Sequence, residues 1–154
     1  MGENPASLES PPDASAKIIR LPGYAIRTLR ETGHDYHIQI ETLAPTAVCP
    51  ACQGVQCVGY GRSELLVHDL PMHGKRVGLY IGARRFKCRG CGKTFMESLP
   101  AVDGKRRMTE RLAHWIGPRS LNYTFTSVAE EIGVTEGTIR NIAHDYIEAL
   151  EQTH

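Results

Sequence analysis

The string "YAIRTLRETGHDYHIQIETL", residues 24–43, holds two short runs rich in β-branched and aromatic residues around "ETGH". That pattern predicts a β-hairpin, with Gly33 free to supply a positive φ at its turn. Further on, "ELLVHDL" and "KRVGLYIGARRFKC" read as strands joined through "PMHGK", the second with Val77, Leu79 and Ile81 alternating on one face. "KTFMESL" is short enough for one more strand. From Thr109 the period changes from two to that of a helix: Leu112, Trp115 and Ile116 share one side, and Gly117 with Pro118 predicts the stop. Two more helices are predicted in "FTSVAEEIGVTEGTIRNIAHDYIEAL". Ser127 with Glu130 forms a capping box for the first, Gly133 marks the turn, and Thr135 caps the second.

Length and composition limit what these elements can build. A chain of 154 residues, 41% apolar and 23% charged, suits one domain or two small ones. Residues 1–17 are rich in Pro, Ser, Ala and acidic side chains, which predicts a disordered tail. No run approaches the roughly 18 to 20 apolar residues of a membrane span, and the N-terminus lacks the apolar core of a signal peptide. The expected location is therefore the reducing cytoplasm, with no membrane partner, and there paired cysteines more often hold a metal than form disulfides.

The net charge of +1 hides a segregation along the chain. Residues 1–43 carry 4 basic and 6 acidic side chains, residues 44–107 carry 11 and 4, and residues 108–154 carry 3 and 7. A basic middle between acidic ends points to a polyanionic partner.

The chemistry-bearing residues lie in and beside that basic middle. "CPAC" and "CRGC" place Cys49, Cys52, Cys88 and Cys91 in two pairs, each with two residues between the thiols. Two such knuckles supply four thiolates, the closed tetrahedral shell of one structural zinc ion; the same donors also suit the iron of rubredoxin-like carriers. Gly54 in "CQG" and Gly92 in "CGK" offer residues free to adopt positive φ where each knuckle closes. The fifth thiol, Cys57, is expected to be a small packed residue, and His68 and His73 to be surface or hairpin residues.

In the last third, aligning Ala129 and Gly133 with the small residue and turn glycine of a helix-turn-helix puts Val128, Ile132, Val134, Ile139 and Ile142 at its core positions. The second helix then exposes Thr135, Glu136, Thr138, Arg140, Asn141 and His144. Arg140 matches a guanine edge and Asn141 an adenine edge, while the threonines suit phosphates or a thymine methyl. Arg84 and Arg85 on the strand, and Lys105, Arg106 and Arg107 before the helices, are the expected phosphate contacts. The bland alternative is a three-helix bundle that touches nothing, favoured by the acidity of the segment.

The order of these parts, "CPAC", "DLP", "RRFKC", "TFMESLP" and then a helix-turn-helix, resembles the N-terminal region of bacterial insertion-sequence transposases of the ISL-three family. The likeness covers about residues 18–150. It implies an α+β architecture: a small zinc-ribbon-like antiparallel β module followed by an all-α three-helix helix-turn-helix domain. The boundaries expected are a tail at 1–17, a β-hairpin packing on the zinc module at 18–47, the zinc-ribbon module at 48–102 and the helix-turn-helix domain at 103–154. It also implies one zinc on Cys49, Cys52, Cys88 and Cys91, and double-stranded DNA, the terminal inverted repeats of the element, as partner. Family members continue into a nuclease-like domain with two aspartates and a glutamate. After Cys91 no converging carboxylates can be found, so the chain is expected to bind DNA at the nucleoid without cutting it. The competing reading is a regulatory or protein-interaction protein, with a homodimer formed by the helices.

Overall fold

A computed structural model describes residues 18–153; the expected disordered tail lies outside the described residues. The elements are β1 (Tyr24–Glu31), β2 (Asp35–Thr42), β3 (Cys57–Met72), β4 (Lys75–Cys88), β5 (Thr94–Met96), β6 (Val102–Asp103) and β7 (Met108–Thr109). Three helices follow: α1 (Glu110–Arg119), α2 (Phe125–Ile132) and α3 (Glu136–Gln152). Hydrogen-bonded strands neighbour one another in the order β1-β2-β4-β3-β7-β6, with β5 antiparallel on β4. A mixed sheet with helices is an α+β chain.

Two compact units divide these elements. Among the described residues, one gathers 18–30, Ile38–Leu66 and Leu79–Pro100; the other gathers Glu31–His37, Val67–Gly78 and 101–153. β3 and β4 are each divided between the two units, β3 after Leu66 and β4 after Gly78.

The first unit buries Tyr24, Ile26, Ile38, Ile40, Leu79, Ile81, Ala83 and Phe86. In β4 the inward positions run Val77, Leu79, Ile81, Ala83 and then Phe86 and Cys88, so the alternation slips by one residue at Arg84 and Arg85. That slip turns Cys88 inward. Beside it, Glu97, 7% exposed, accepts from the Arg84 amide at 2.7 Å, the Arg84 guanidinium at 3.0 Å and the Thr42 hydroxyl at 2.6 Å. Burial alone would raise the Glu97 carboxyl, but Arg84 and Thr42 hold it below the usual range.

In the second unit His73 and Gly74, at φ +52° and +74°, form the two-residue turn between β3 and β4. Two successive positive φ values match the twist of antiparallel strands. By contrast Gly33 does not take the positive φ expected of it; the β1–β2 turn closes by the Thr32 amide donating to the Asp35 carbonyl at 2.8 Å. The segment that carries Lys105, Arg106 and Arg107 is a tight hairpin: β6 pairs antiparallel with β7, and β7 pairs in parallel with β3 at His68 and Met108.

Met108, Leu112, Ile116, Val128, Ala129, Ile132, Ile139 and Ile142 form the buried core of this unit, with Trp115 and Val134 packed on it. Two cap assignments change. Helix α1 passes through Gly117 and Pro118 and ends at Ser120, whose amide donates to the Ile116 carbonyl at 2.8 Å. Gly117 is a crossing point instead of a stop, since a Cβ there would lie 2.7 Å from Tyr146 Cδ1 on α3. Thr124, not Ser127, caps α2: its hydroxyl accepts from the Ser127 amide at 3.1 Å, and Ser127 Oγ donates back to the Thr124 carbonyl. Thr135 caps α3 as expected, and Gly133 turns the chain at φ +93°.

One buried ion pair anchors α1. Asp69, 3% exposed, accepts from Thr109 Oγ1 at 2.7 Å and from Arg111 Nε at 2.9 Å and Nη2 at 2.6 Å. Thr109 is the N-cap of α1, so the same carboxylate that meets Arg111 also orients the cap.

Candidate metal centre and nucleic-acid interface

The two knuckles are built alike. In each, the first cysteine's carbonyl accepts from the amide four residues on, Gln53 at 2.9 Å or Gly92 at 2.8 Å. Its own amide donates to the carbonyl five residues on, Gly54 or Lys93, both at 2.9 Å. The residue closing each knuckle has positive φ: Gln53 at +65° and Gly92 at +79°. The positive φ assigned to Gly54 therefore belongs to Gln53. Gly54 is needed for another reason: a Cβ there would sit 3.2 Å from Cys52 Sγ and 3.4 Å from Cys88 Sγ.

The four sulfurs of Cys49, Cys52, Cys88 and Cys91 lie within 4.8 Å of one another. Cys49 and Cys91 are 3.6 Å apart, Cys52 and Cys88 3.5 Å. A tetrahedral zinc with bonds of about 2.3 Å needs sulfur–sulfur edges of about 3.8 Å, so the donor set fits one ion. The Cys91 backbone amide draws the Cys88 thiol down to about 6, and the Cys52 amide lowers Cys49. Although the Gly54 amide pulls Cys52 down, its neighbour Cys88, burial and the other two sulfurs push it up to about 12. Four thiolates this close need a cation between them. Cys57 stands outside the cluster, half-buried, with Sγ 3.7 Å from the Gly54 carbonyl. His68 and His73 are also apart from it; the His73 ring meets the Tyr36 hydroxyl at 2.8 Å.

The basic side chains near the knuckles sort into two kinds. Arg84 is held inside its unit by Glu97, Thr42 and the Ala44 carbonyl. Arg85 and Lys87 sit two residues apart on β4, opposite Met96 and Thr94 of β5, on the face away from Phe86 and Cys88. Among the described residues Arg85, Lys87, Arg89 and Lys93 make no ion pair. Lys87 and Lys93 flank "CRGC" and Arg89 lies within it; none of the three was singled out from the sequence.

The second unit divides its cations similarly. Arg106 is committed to Asp145 and to Asp103 at 3.5 Å, because the β6–β7 turn folds its guanidinium back onto carboxylates. Lys105 and Arg107 stay exposed and, among the described residues, without an ion pair. On α3, Thr135, Arg140, Asn141 and His144 are exposed and Thr138 is half-buried, while Ile139, Ile142 and Ala143 face inward. Thr135 and Thr138 hydroxyls lie 3.0 Å apart at the cap. All five expected residues therefore lie along one helix, with Arg140 paired to Glu136 at 2.7 Å.

Comparison with known proteins gives these two sites a common setting. Residues 45–91 match the zinc-finger of transposase IS204/IS1001/IS1096/IS1165, and residues 97–147 match the helix-turn-helix domain of transposase family ISL3. The transposase for insertion sequence element IS1001 of Bordetella parapertussis is 30% identical over 95 residues, 59% of this chain and 23% of the relative. The chain thus spans about a quarter of the length of that relative. No solved structure matches it. A zinc-ribbon match on the four clustered cysteines decides between the two metals in favour of zinc. Two successive domain models of one transposase family account for residues 45–91 and 97–147, and the chain carries the zinc ribbon and the helix-turn-helix of ISL3-family transposases.

Proposed function

We propose that the chain is a double-stranded DNA recognition module that reads the terminal inverted repeats of a mobile element. The observation that carries this reading is the N-terminal half of α3 and its cap, where Thr135, Arg140, Asn141 and His144 are exposed and Thr138 half-buried, within the helix-turn-helix match. A helix of this kind lays its N-terminal half in the major groove, where Arg140 fits a guanine edge and Asn141 an adenine edge. Arg85, Lys87, Arg89 and Lys93 in the ribbon, with Lys105 and Arg107, supply phosphate contacts that the acidic helices cannot. In this reading zinc is structural and cutting belongs elsewhere. Among the described residues, the group of metal donors that converges is the four cysteines, whose closed shell leaves no open position for a substrate.

Binding of the zinc-loaded chain to selected and to scrambled duplexes across a salt series tests the division of labour. Alanine at Lys87 and Arg89 is expected to weaken both duplexes alike and to flatten the salt slope by about one unit for each cation removed from a phosphate. Alanine at Arg140 or Asn141 is expected to cost about 1–3 kcal/mol on the selected duplex and little on the scrambled one. A specificity ratio unchanged by Arg140→Ala and Asn141→Ala together would reduce the helices to a structural bundle.

A further inference from the structure

Glu136 is an awkward residue for a groove-facing helix, since a carboxylate in the first turn of α3 repels phosphates. Its surroundings account for it. Glu136 Oε1 accepts from Arg140 Nη2 at 2.7 Å, and Oε2 accepts from Thr126 Oγ1, on the first turn of α2, at 2.9 Å. The Arg140 guanidinium also lies over the Phe125 ring, 5.8 Å from its centroid. Thus one carboxylate is fixed from α2 by a hydroxyl, and it in turn fixes the arginine one turn further along α3. Both partners remain about half exposed, at 54% and 47%. The pair is therefore positioned at the surface, where it does little for folding.

We propose that Glu136 is a positioning residue for base readout: together with Thr126 and Phe125 it holds the Arg140 guanidinium in one place before DNA arrives. A free arginine side chain must give up rotamer freedom to form a bidentate pair with guanine, and it finds a phosphate as readily as a base. Holding the fork in place removes part of that ordering cost, and the nearby carboxylate makes a phosphate a poorer alternative partner. Glu136 thereby gives up general affinity in exchange for discrimination. This inference rests on the proposal that α3 reads bases.

The test uses the zinc-loaded full chain. Duplexes are selected from a randomised pool with the wild type, and binding to the selected and a scrambled duplex is then measured for Arg140→Ala, Glu136→Gln and the double variant. Arg140→Ala is expected to lower the selected-to-scrambled ratio about five- to 100-fold. Glu136→Gln is expected to raise affinity for scrambled DNA while lowering the ratio about two- to five-fold. The double variant is expected to match Arg140→Ala alone in ratio, because Glu136 acts through Arg140. Equal tightening of both duplexes by Glu136→Gln, with the ratio preserved, would make Glu136 only a surface charge and overturn the positioning role while leaving base reading intact. A ratio insensitive to Arg140→Ala would overturn both readings together. Unchanged thermal unfolding of each variant excludes a folding defect as the cause.

Discussion

Replacing Asp69 tests whether the anchor of α1 is understood. Asp69 is 3% exposed and holds three donors, Thr109 Oγ1 and two nitrogens of Arg111. Breaking a buried pair by removing one partner costs about 3–5 kcal/mol. Arg111 is 32% exposed in its side chain, so water recovers part of its charge and about 2 kcal/mol is the better figure. The Thr109 hydroxyl, 0% exposed, loses its acceptor for about 1 kcal/mol more. Asp69→Ala should therefore destabilise the chain by about 3 kcal/mol, a fall in Tm of about 6–12 °C for a protein of this size. Asp69→Asn keeps an acceptor for Thr109 and should cost about 2 kcal/mol. Trp115 on α1 is the one tryptophan of the chain, so urea unfolding followed by its fluorescence reports the affected unit. A cycle with Arg111→Met isolates the pair. A loss under about 1 kcal/mol for Asp69→Ala, or a coupling indistinguishable from zero, would refute the account of how α1 is anchored.

Other substitutions probe the remaining features. Cys88→Ser should abolish binding of the single zinc and Cys57→Ser should leave metal content at one per chain, as read by elemental analysis. Alanine in place of glycine usually gains about 1 kcal/mol in a helix; Gly117→Ala should instead lose about 1–3 kcal/mol by overpacking against Tyr146, measured by denaturation. His68 is held below its ordinary value of 6.5 first by burial and then by Arg76. The unfolded chain therefore binds the extra proton first, so the His68 contribution is complete above pH 6.5 and is lost as pH falls from there toward the folded value. His68→Asn should flatten that acid limb in Tm measured against pH.

What was legible in the sequence was local. Two thiols with two residues between them can share one ion whatever surrounds them, so Cys49, Cys52, Cys88 and Cys91 could be named from spacing, and the period of three to four named Val128, Ile132, Ile139 and Ile142. Thr135 and Gly133 were readable as cap and turn for the same reason. What the sequence did not determine depends on partners far along the chain. Arg84 and Arg85 are adjacent and chemically identical, yet a one-residue slip in β4 gives the first to Glu97 and leaves the second unpaired. Arg106 and Arg107 differ likewise, since Asp145, 39 residues on, takes only the first. Gly117 looked like a helix stop because the constraint on it comes from Tyr146 on α3, and Gly54 looked like a turn residue because the sulfurs that crowd its Cβ position include Cys88 of the other knuckle. Backbone period and ligand spacing are short-range properties fixed by covalent geometry; which cation enters an ion pair is fixed only when distant carboxylates fold into reach.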